Sequence, residues 1–251
     1  MTLSIKFPAA FLSLLLLFLP ICEAQEYRII SLAPNATEIL FALGLGESIV
    51  GVDAYSDYPR EAQDIERVGN FNKPNVEKII LLKPGHILVN ADLDAGLVDY
   101  LRARGVKVIK VSPKSVDELY GRMLVLGKIF NREKKAHFII EDIKARIKEL
   151  PIKKGSDRPK VFVQLFHDPL VTGSSFIGDV VRLAGGNNIA SDIKDDNGLF
   201  SPEVLLYRNP DIIIKTGFSK NADLNPDILL RPGPRIILAI EELNKIFYEK
   251  N

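Results

Sequence analysis

The segment REKKAHFIIEDIKARIKEL, residues 132–150, decides the organisation of the chain. Apolar side chains recur along it with a helical period and therefore share one face. They are Ala136, Ile139, Ile140, Ile143 and Ile147. No glycine or proline interrupts the segment. A helix of this length extends roughly 28 Å, enough to cross a small domain. The pattern therefore predicts a long, rigid helix near the middle of the chain.

Short apolar runs, typical of buried strands, alternate with helical segments on both sides of this helix. Before it come RIISL (28–32), SIVGV (48–52), HILVN (86–90) and VKVIKV (106–111), and after it KVFVQLF (160–166) and DIIIKT (211–216). Strands that alternate with helices build a parallel sheet covered by helices. We therefore predict an α/β protein with two Rossmann-like lobes joined by the long helix and a ligand cleft between them. The predicted parts are a first lobe at 25–112, linking helices at 113–152 and a shortened second lobe at 153–251.

Two stretches, one in each predicted lobe, share a pattern. NVEKIILLKPGHILV (75–89) and SPEVLLYRNPDIII (201–214) each carry a glutamate, then an apolar run, then a proline seven residues after the glutamate. The glutamates are Glu77 and Glu203. The repetition at equivalent places indicates two copies of one unit that face each other.

Each of these glutamates also has a purely structural interpretation. Glu77 and Glu203 fall in the first turn of predicted helices, after Asn75 or Ser201 as the capping residue. A carboxylate there gains about 0.3–1 kcal/mol from the helix dipole. That gain explains one such glutamate without a partner, but it explains the matched placement in two lobes less well.

The first 24 residues have the pattern of a secretory signal peptide. Lys6 precedes an apolar run, and Cys22 and Ala24 stand at −3 and −1 of a cut after Ala24. The alternative is a lipid anchor on Cys22, which is disfavoured because Ile21 stands where a small residue is required. Cleavage removes the only cysteine. We therefore expect a periplasmic protein that is stabilised by its core rather than by disulfides.

Composition and motifs disfavour several classes of function. The net charge is +1, so no basic excess indicates nucleic-acid binding. The sequence has no GxGxxG, P-loop or HExxH motif and no GxSxG nucleophile. His86, His137 and His167 lie far apart and lack the spacing of metal ligands. We expect no enzyme activity, no cofactor and no directly bound metal.

The loop after the first strand leads into a helix with both ends marked. Asn35 is expected to cap that helix and to form a capping box with Glu38. Gly44 is expected to end it. Ligands of α/β sheets bind beyond the carboxyl ends of strands, so this loop lies at the predicted functional edge.

The loop after the second strand, AYSDYP (54–59), lies at the same edge. Tyr55 is favoured as a ligand contact because it follows the strand end. Tyr58, next to Pro59, is favoured as a packing residue, and Asp57 as a cap of its own turn.

Several stretches together resemble one family. RIISLAPNATEILFALGLG (28–46), VGVDAYSDYP (50–59), LAGGNNIASD (183–192) and RPGPRII (231–237), with the repeated pair above, resemble the periplasmic substrate-binding proteins of ABC importers for iron chelates and vitamin B12. YSDYP resembles the cobalamin-binding branch in particular. The resemblance covers nearly all of the chain after residue 24. It implies two α/β lobes joined by one long helix, a single ligand between them, and little movement on binding.

The resemblance also implies roles for particular residues. Tyr55 matches the family's corrin-contacting tyrosine, and Phe71 stands where an aromatic side chain lines the cleft. Glu77 and Glu203 match two lobe-tip glutamates that dock on arginines of the permease. Further candidate ligand contacts are Pro34, Asn35, His167 (also a candidate axial ligand of a chelated metal), Asp227, Ile228, Leu229, Leu230 and Arg231.

The chain departs from the family pattern in the second lobe. It has no tryptophan, and only fourteen residues, 217–230, separate DIIIKT from RPGPR, where the family carries another helix and strand. Two classes of function stay open. One is a monomeric receptor that delivers cobalamin, or else haem or a ferric siderophore, to ABC permease subunits with their ATPase. The other is an exported α/β enzyme.

Overall fold

Strands and helices alternate on both sides of a long central helix in the computed structural model, as the sequence predicts. The structure describes residues 27–70, 72–90, 93–153, 155–166, 171–172, 175–193, 198–216 and 224–249. Residues 1–24, Phe71 and His167 lie outside this part of the chain. The predicted lobe boundaries, after residues 112 and 152, stay predictions.

The first sheet is entirely parallel, and a short antiparallel hairpin follows its second strand. The strands are β1 (Ile29–Ser31), β2 (Ile49–Val52), the hairpin β3 (Gly69–Asn70) and β4 (Lys73–Pro74), β5 (His86–Val89) and β6 (Lys107–Lys110). Their order in the sheet is β2–β1–β5–β6. The accompanying helices are α1 (Pro34–Ala42), α2 (Val76–Leu81) and α3 (Ala95–Arg102).

Two helices link the lobes. They are α4 (Val116–Ile129) and α5 (Glu133–Glu149). The 17 residues of α5 extend about 25 Å. Its predicted apolar face is confirmed, because Ala136, Ile140 and Ile143 are buried in the main core.

The second sheet is mixed rather than purely parallel. Its strands are β7 (Lys160–Phe166), β8 (Val171–Thr172), β9 (Asn187–Asn188), β10 (Gly198–Leu199) and β11 (Ile212–Lys215). β7 pairs in parallel with β9 and β11 and antiparallel with β8, which in turn pairs antiparallel with β10. The stretch after β7 that the sequence presents as a loop thus contains a strand.

Four α-helices lie among the described residues of the second lobe and its junction with the first. They are α6 (Phe176–Leu183), α7 (Pro202–Arg208), α8 (Pro226–Leu230) and α9 (Ile236–Tyr248). Arg146 on α5 donates two hydrogen bonds, of 2.7 and 2.8 Å, to the carboxylate of Glu241 on α9. One core cluster contains side chains from both sheets and from α5 and α9, so the lobes are packed together rather than loosely tethered.

The start of α1 differs from the predicted capping box. The capping position is Ala33, which offers no side-chain bond, and Pro34 begins the helix. Proline suits this position because the missing N–H has no intrahelical partner there. Asn35 is already inside the helix, and its amide donates to the carbonyl oxygens of Val111 and Pro232. The carboxyl end of α1 is as predicted, because Gly44 follows it with a φ of +75°, a conformation that favours glycine.

Candidate functional site

The loop of residues 53–59, at the carboxyl end of β2, has a backbone fixed by buried polar groups. Asp53 and Ser56 are fully buried. The Ser56 hydroxyl donates to Asp53 Oδ1, and the N–H of Tyr55 donates to Asp53 Oδ2 at 3.3 Å. Thr37 on α1 shares a 2.8 Å hydrogen bond with the Ser56 hydroxyl. The loop is therefore anchored to α1, and Asp53 rather than Asp57 caps the turn.

Arg67 closes the same loop from its other side. Its Nη1 donates to the carbonyl oxygens of Asp53, at 2.9 Å, and Ser56, at 2.7 Å. Burial raises the pKa of Asp53, while the hydrogen bonds from Ser56 and from the Tyr55 N–H oppose that rise. A loop held by this many bonds presents its outward side chains in a fixed position.

Two tyrosines project from this loop. The ring of Tyr55 is 57% exposed, so it offers an apolar face to a ligand. Tyr58 is also largely exposed, and the Arg235 guanidinium lies 3.7 Å from its ring centre. The prediction that Tyr58 packs onto the sheet is wrong, because its ring instead supports an arginine from the other end of the chain.

Arg231, between α8 and α9, is the centre of an ionic cluster that bridges the lobes. Its Nη1 lies 2.5 Å from Asp57 Oδ1 and 3.8 Å from Glu38 Oε1, and its Nη2 lies 3.1 Å from Asp227 Oδ1. The hydrogen bond from Arg231 lowers the pKa of Asp57. Asp57 therefore links the first lobe to the second, in place of the predicted local role in its own turn.

Glu38 forms a second contact across the junction. Arg235 donates to both of its carboxylate oxygens, at 2.8 and 2.5 Å. Glu38 is almost completely buried, and burial raises its pKa while the bonds from Arg235 oppose the rise. Bidentate pairs of this kind fix orientation as well as distance. Together with Asp57 and Arg231, this pair closes the junction beside the tyrosine loop.

The charge balance of this cluster restricts the ligands that fit it. Each of its arginines, Arg67, Arg231 and Arg235, is already bound to carbonyl or carboxylate oxygens. Asp57, two residues from Tyr55, and Asp227 both pair with Arg231 and keep partly exposed carboxylates. In the described part of the cluster, an incoming ligand meets hydrogen-bond acceptors and an aromatic face but no unengaged cation.

Some predicted contact residues lie where no ligand can reach them. Asn35, Ile228 and Leu229 are buried in the interior. Of the predicted α8 segment, Asp227 and Leu230 have exposed surface, and Arg231 contacts both lobes. Pro34 is partly buried at the start of α1. The structure thus brings Tyr55, Asp227 and Arg231 to one edge, with Asp57 added.

Glu77 and Glu203 lie away from this cluster, on α2 and α7. Both are exposed in the first helical turn, as predicted. Asn75 caps α2 by accepting from the N–H of Lys78. Ser201 makes no such cap, and its hydroxyl instead hydrogen-bonds the Glu203 carboxylate, which lowers the pKa of Glu203.

A groove of about 550 Å³ borders the cluster. It shares Glu38, Tyr58 and Arg235 with the cluster but does not include Tyr55, Asp57 or Arg231. The rest of its lining is mainly apolar and comes from Phe41, Ala42, Pro59, Glu61, Arg146, Pro234, Ile237 and Leu238. Tyr58 and Pro59 thus belong both to the tyrosine loop and to the groove, whereas Tyr55 and Asp57 lie outside the groove lining.

Sequence reasoning missed most of the groups that build the site. Glu38 and Arg235 are 197 residues apart, and Asp57 and Arg231 are 174 apart. A local sequence pattern does not show that two residues so far apart in the chain form a pair. The sequence feature that could have indicated these pairs is the two arginines of RPGPR, which lie at or next to the predicted contacts of α8.

Among the described residues, no helix is long and apolar enough to span a membrane. The same residues contain no group of three or more histidine, cysteine, aspartate or glutamate side chains placed to hold a metal ion.

A parallel sheet, a mixed sheet, a linking helix and a polar cluster at the lobe junction define a two-lobed α/β binding protein. The family model for periplasmic binding proteins matches residues 29–244, and the chain belongs to that family. Its relatives include a vitamin B12-binding protein of Yersinia pestis (strain Pestoides F), which is 33% identical over 255 residues, covering 94% of this chain and 90% of the relative.

Solved structures share the fold. The periplasmic vitamin B12 binding protein BtuF of Vibrio cholerae matches with a TM-score of 0.71 at 29% identity, covering 89% of this chain and 98% of that one. The periplasmic haem binding protein HutB of Vibrio cholerae matches with a TM-score of 0.77 at 22% identity, covering 89% and 100%, and this likeness concerns the fold alone. A family of extracytoplasmic binding proteins accounts for the predicted fold and for the scarcity of catalytic motifs.

Proposed function

We propose that the chain binds a corrinoid, cobalamin, between its lobes and delivers it to the permease subunits of an ABC importer, whose ATPase drives transport. The observation that carries this proposal is the exposed ring of Tyr55 on a fixed loop, next to carboxylates of both lobes. The vitamin B12-binding relatives, which align along most of the chain, support the same assignment.

The chemistry of the cluster favours cobalamin over anionic chelates. A corrin has a broad apolar face and carries amide groups around its edge. Tyr55 matches the face, and the acceptor oxygens of Asp57 and Asp227 match amide N–H donors. Haem carries two carboxylates and many ferric siderophores are acidic, so both would meet like charge at these aspartates, where Arg231 is already paired.

The remaining parts of the proposal concern export and assembly. Residues 1–24 act as an export signal, on the pattern of Lys6, an apolar run and Ala24. The protein works as a monomer and has no resident cofactor, because the chelated metal enters as cargo. In this account Glu77 and Glu203 are the docking groups for the permease, with Glu203 oriented by Ser201.

Calorimetric titration of the exported protein with cyanocobalamin, haem and a ferric siderophore under the same conditions tests the ligand. We expect one-to-one binding of cyanocobalamin, at least about tenfold tighter than haem, or about 1.4 kcal/mol. Tighter binding of haem would assign the protein to haem uptake. Binding of none of the three chelates contradicts the proposed function as a whole.

A further inference from the structure

The most exposed large apolar side chains in the described part of the chain lie on the two helices that carry the docking glutamates. Tyr207 is 89% exposed, Leu206 79% and Leu81 77%. Ile80, beside Leu81, is also exposed. We call Ile80 with Leu81 the first-lobe patch, and Leu206 with Tyr207 the second-lobe patch.

Packing within the protein does not explain why these exposed side chains are apolar. On α2 the inward-facing residue is Ile79, which is fully buried. On α7 Val204 and Leu205 pack beside the second-lobe core of Phe162 and Phe200. Each helix therefore packs other apolar side chains against its own lobe, and the side chains of the patches point away from that lobe. Burial of exposed apolar side chains is favourable, and a partner that covers the patches would gain that stabilisation.

The two patches occupy matching positions. In each lobe the apolar pair follows the glutamate by three and four residues, after Glu77 on α2 and after Glu203 on α7. Residues at these spacings are neighbours on a helix surface. The same acid-plus-apolar surface is thus built twice, once on each lobe.

Topology orients the two helices alike and places their glutamates, in the first helical turn, toward the side of the binding site, with each patch one turn further along its helix. α2 leads into β5 and α7 into β11, and in each case the helix must return across its sheet to start a parallel strand. The amino end of each helix therefore lies toward the carboxyl edge of its sheet. Two cations on these helices are already engaged, because Lys78 pairs with Glu66 and Arg208 with Asp192.

We propose that the first-lobe and second-lobe patches are apolar docking surfaces for the importer's permease, which presents the same complement twice: a basic group beside an apolar depression. This rests on the proposed function and adds a desolvated contact to each glutamate. A second copy of this chain fits the surfaces less well, since self-contact would bring glutamates against glutamates. Charge pairs then set the docking rate and register, while the buried apolar side chains slow dissociation.

The test uses the double variant Leu81→Ser with Tyr207→Ser and the cobalamin permease–ATPase complex of the source organism in nanodiscs. Both side chains are exposed, so little loss of folding stability follows from the change. Phe138→Ser is the matched control, because Phe138 is 69% exposed on α5 and lies outside both patches. We expect the double variant to dissociate from the permease about tenfold faster or more, with unchanged cobalamin affinity and an unchanged response to salt.

The outcomes separate this inference from the proposed function. If wild type binds neither cobalamin nor the permease, the proposed function fails. If wild type docks and the double variant dissociates no faster than Phe138→Ser, the apolar contact is absent and only this inference is overturned. A wild-type dimer in light scattering that the double variant abolishes, with normal permease docking, would assign the patches to self-association instead.

Discussion

Tyr55 is the residue on which the ligand assignment depends. The loop that carries it is fixed from beneath by Asp53 and Ser56, so the ring is presented without a large ordering cost. Replacing Tyr55 by alanine removes a flat apolar face that suits a macrocycle. We expect Tyr55→Ala to weaken cobalamin binding about tenfold or more, equivalent to about 1.4 kcal/mol, as measured by calorimetry.

Tyr100→Ala is the control for this change. Tyr100 is also an exposed tyrosine, but it lies on α3, where its ring stacks against the guanidinium of Arg104. Its affinity for cobalamin should match that of wild type. Equal affinities of Tyr55→Ala and Tyr100→Ala would remove Tyr55 from the binding site.

Single residues also mark where prediction from sequence stops. Tyr55 is predicted to contact the ligand because a strand end and a short motif coincide there. Asp57, two residues later, gave only the local signal of a turn residue, and its salt bridge with Arg231 depends on how the lobes pack. Prediction from local pattern finds residues whose role is set by neighbours in sequence, and it misses those set by tertiary contact.

His86 provides a test of stability against pH. Its Nδ1 is buried without a hydrogen-bond partner in the described structure, and its ring packs edge-to-face against Tyr27 and Phe130. Desolvation, with a smaller contribution from Lys107, lowers the pKa of His86 below the value of 6.5 expected in the unfolded chain. As the pH falls, the unfolded state binds the proton first. The stabilisation is present above pH 6.5 and is lost as the pH falls through the folded-state pKa.

We therefore expect the free energy of unfolding of wild type to fall between about pH 7.5 and pH 5 by more than that of His86→Phe. Phenylalanine keeps the aromatic contacts and removes the titrating group. Urea unfolding of both proteins at the two pH values measures the difference. Identical pH dependence in the two proteins contradicts the assignment.

At the scale of elements, the prediction of little movement between the lobes depends on α5. It contains no glycine or proline, packs its apolar face into the common core and is tied to α9 by the bidentate Arg146–Glu241 pair. Sharp bends in helices occur at proline, glycine pairs or bulges, and a connector without them resists hinge motion. We expect small-angle scattering curves with and without cobalamin to superimpose almost completely.

Two outcomes of the scattering experiment have different meanings. Binding confirmed by calorimetry with no change in radius of gyration supports the rigid connector. A clear decrease in radius of gyration on binding would show that the lobes close by a hinge and that α5 does not limit them.

Elements with a strong local period were predicted well, and short ones were not. The strands of the first sheet and the long helices each carry a repeat of apolar residues over several positions, which packing against one core requires. β8 and β10 are two residues each, and they are strands because β8 pairs with β7 and β10 pairs with β8. The start of α1 was misplaced because the amide of Asn35 bonds Val111 and Pro232, far away in sequence, instead of capping its own helix.

At the scale of the whole molecule, the internal repeat connects fold and partner. The two lobes place α2 and α7 at equivalent positions, each directly before a strand, β5 or β11, that pairs in parallel with the first strand of its sheet. A helix-dipole role needs each glutamate only locally, whereas docking needs both on one side of the molecule. The repeat therefore makes the joint removal of the two glutamates the informative experiment.

We expect the double variant Glu77→Ala with Glu203→Ala to keep its cobalamin affinity. Its association with the permease and its transport activity should each fall about tenfold or more, because the two carboxylate–guanidinium pairs that orient the complex are gone. Association should also become less sensitive to salt than in wild type. Glu133→Ala is the control, since Glu133 lies in the first turn of α5 and shares only the favourable interaction with a helix dipole, about 0.3–1 kcal/mol. Melting temperature, cobalamin affinity and permease binding are measured on all three proteins. A small loss of melting temperature in both variants with normal permease binding would show that Glu77 and Glu203 only stabilise their helices.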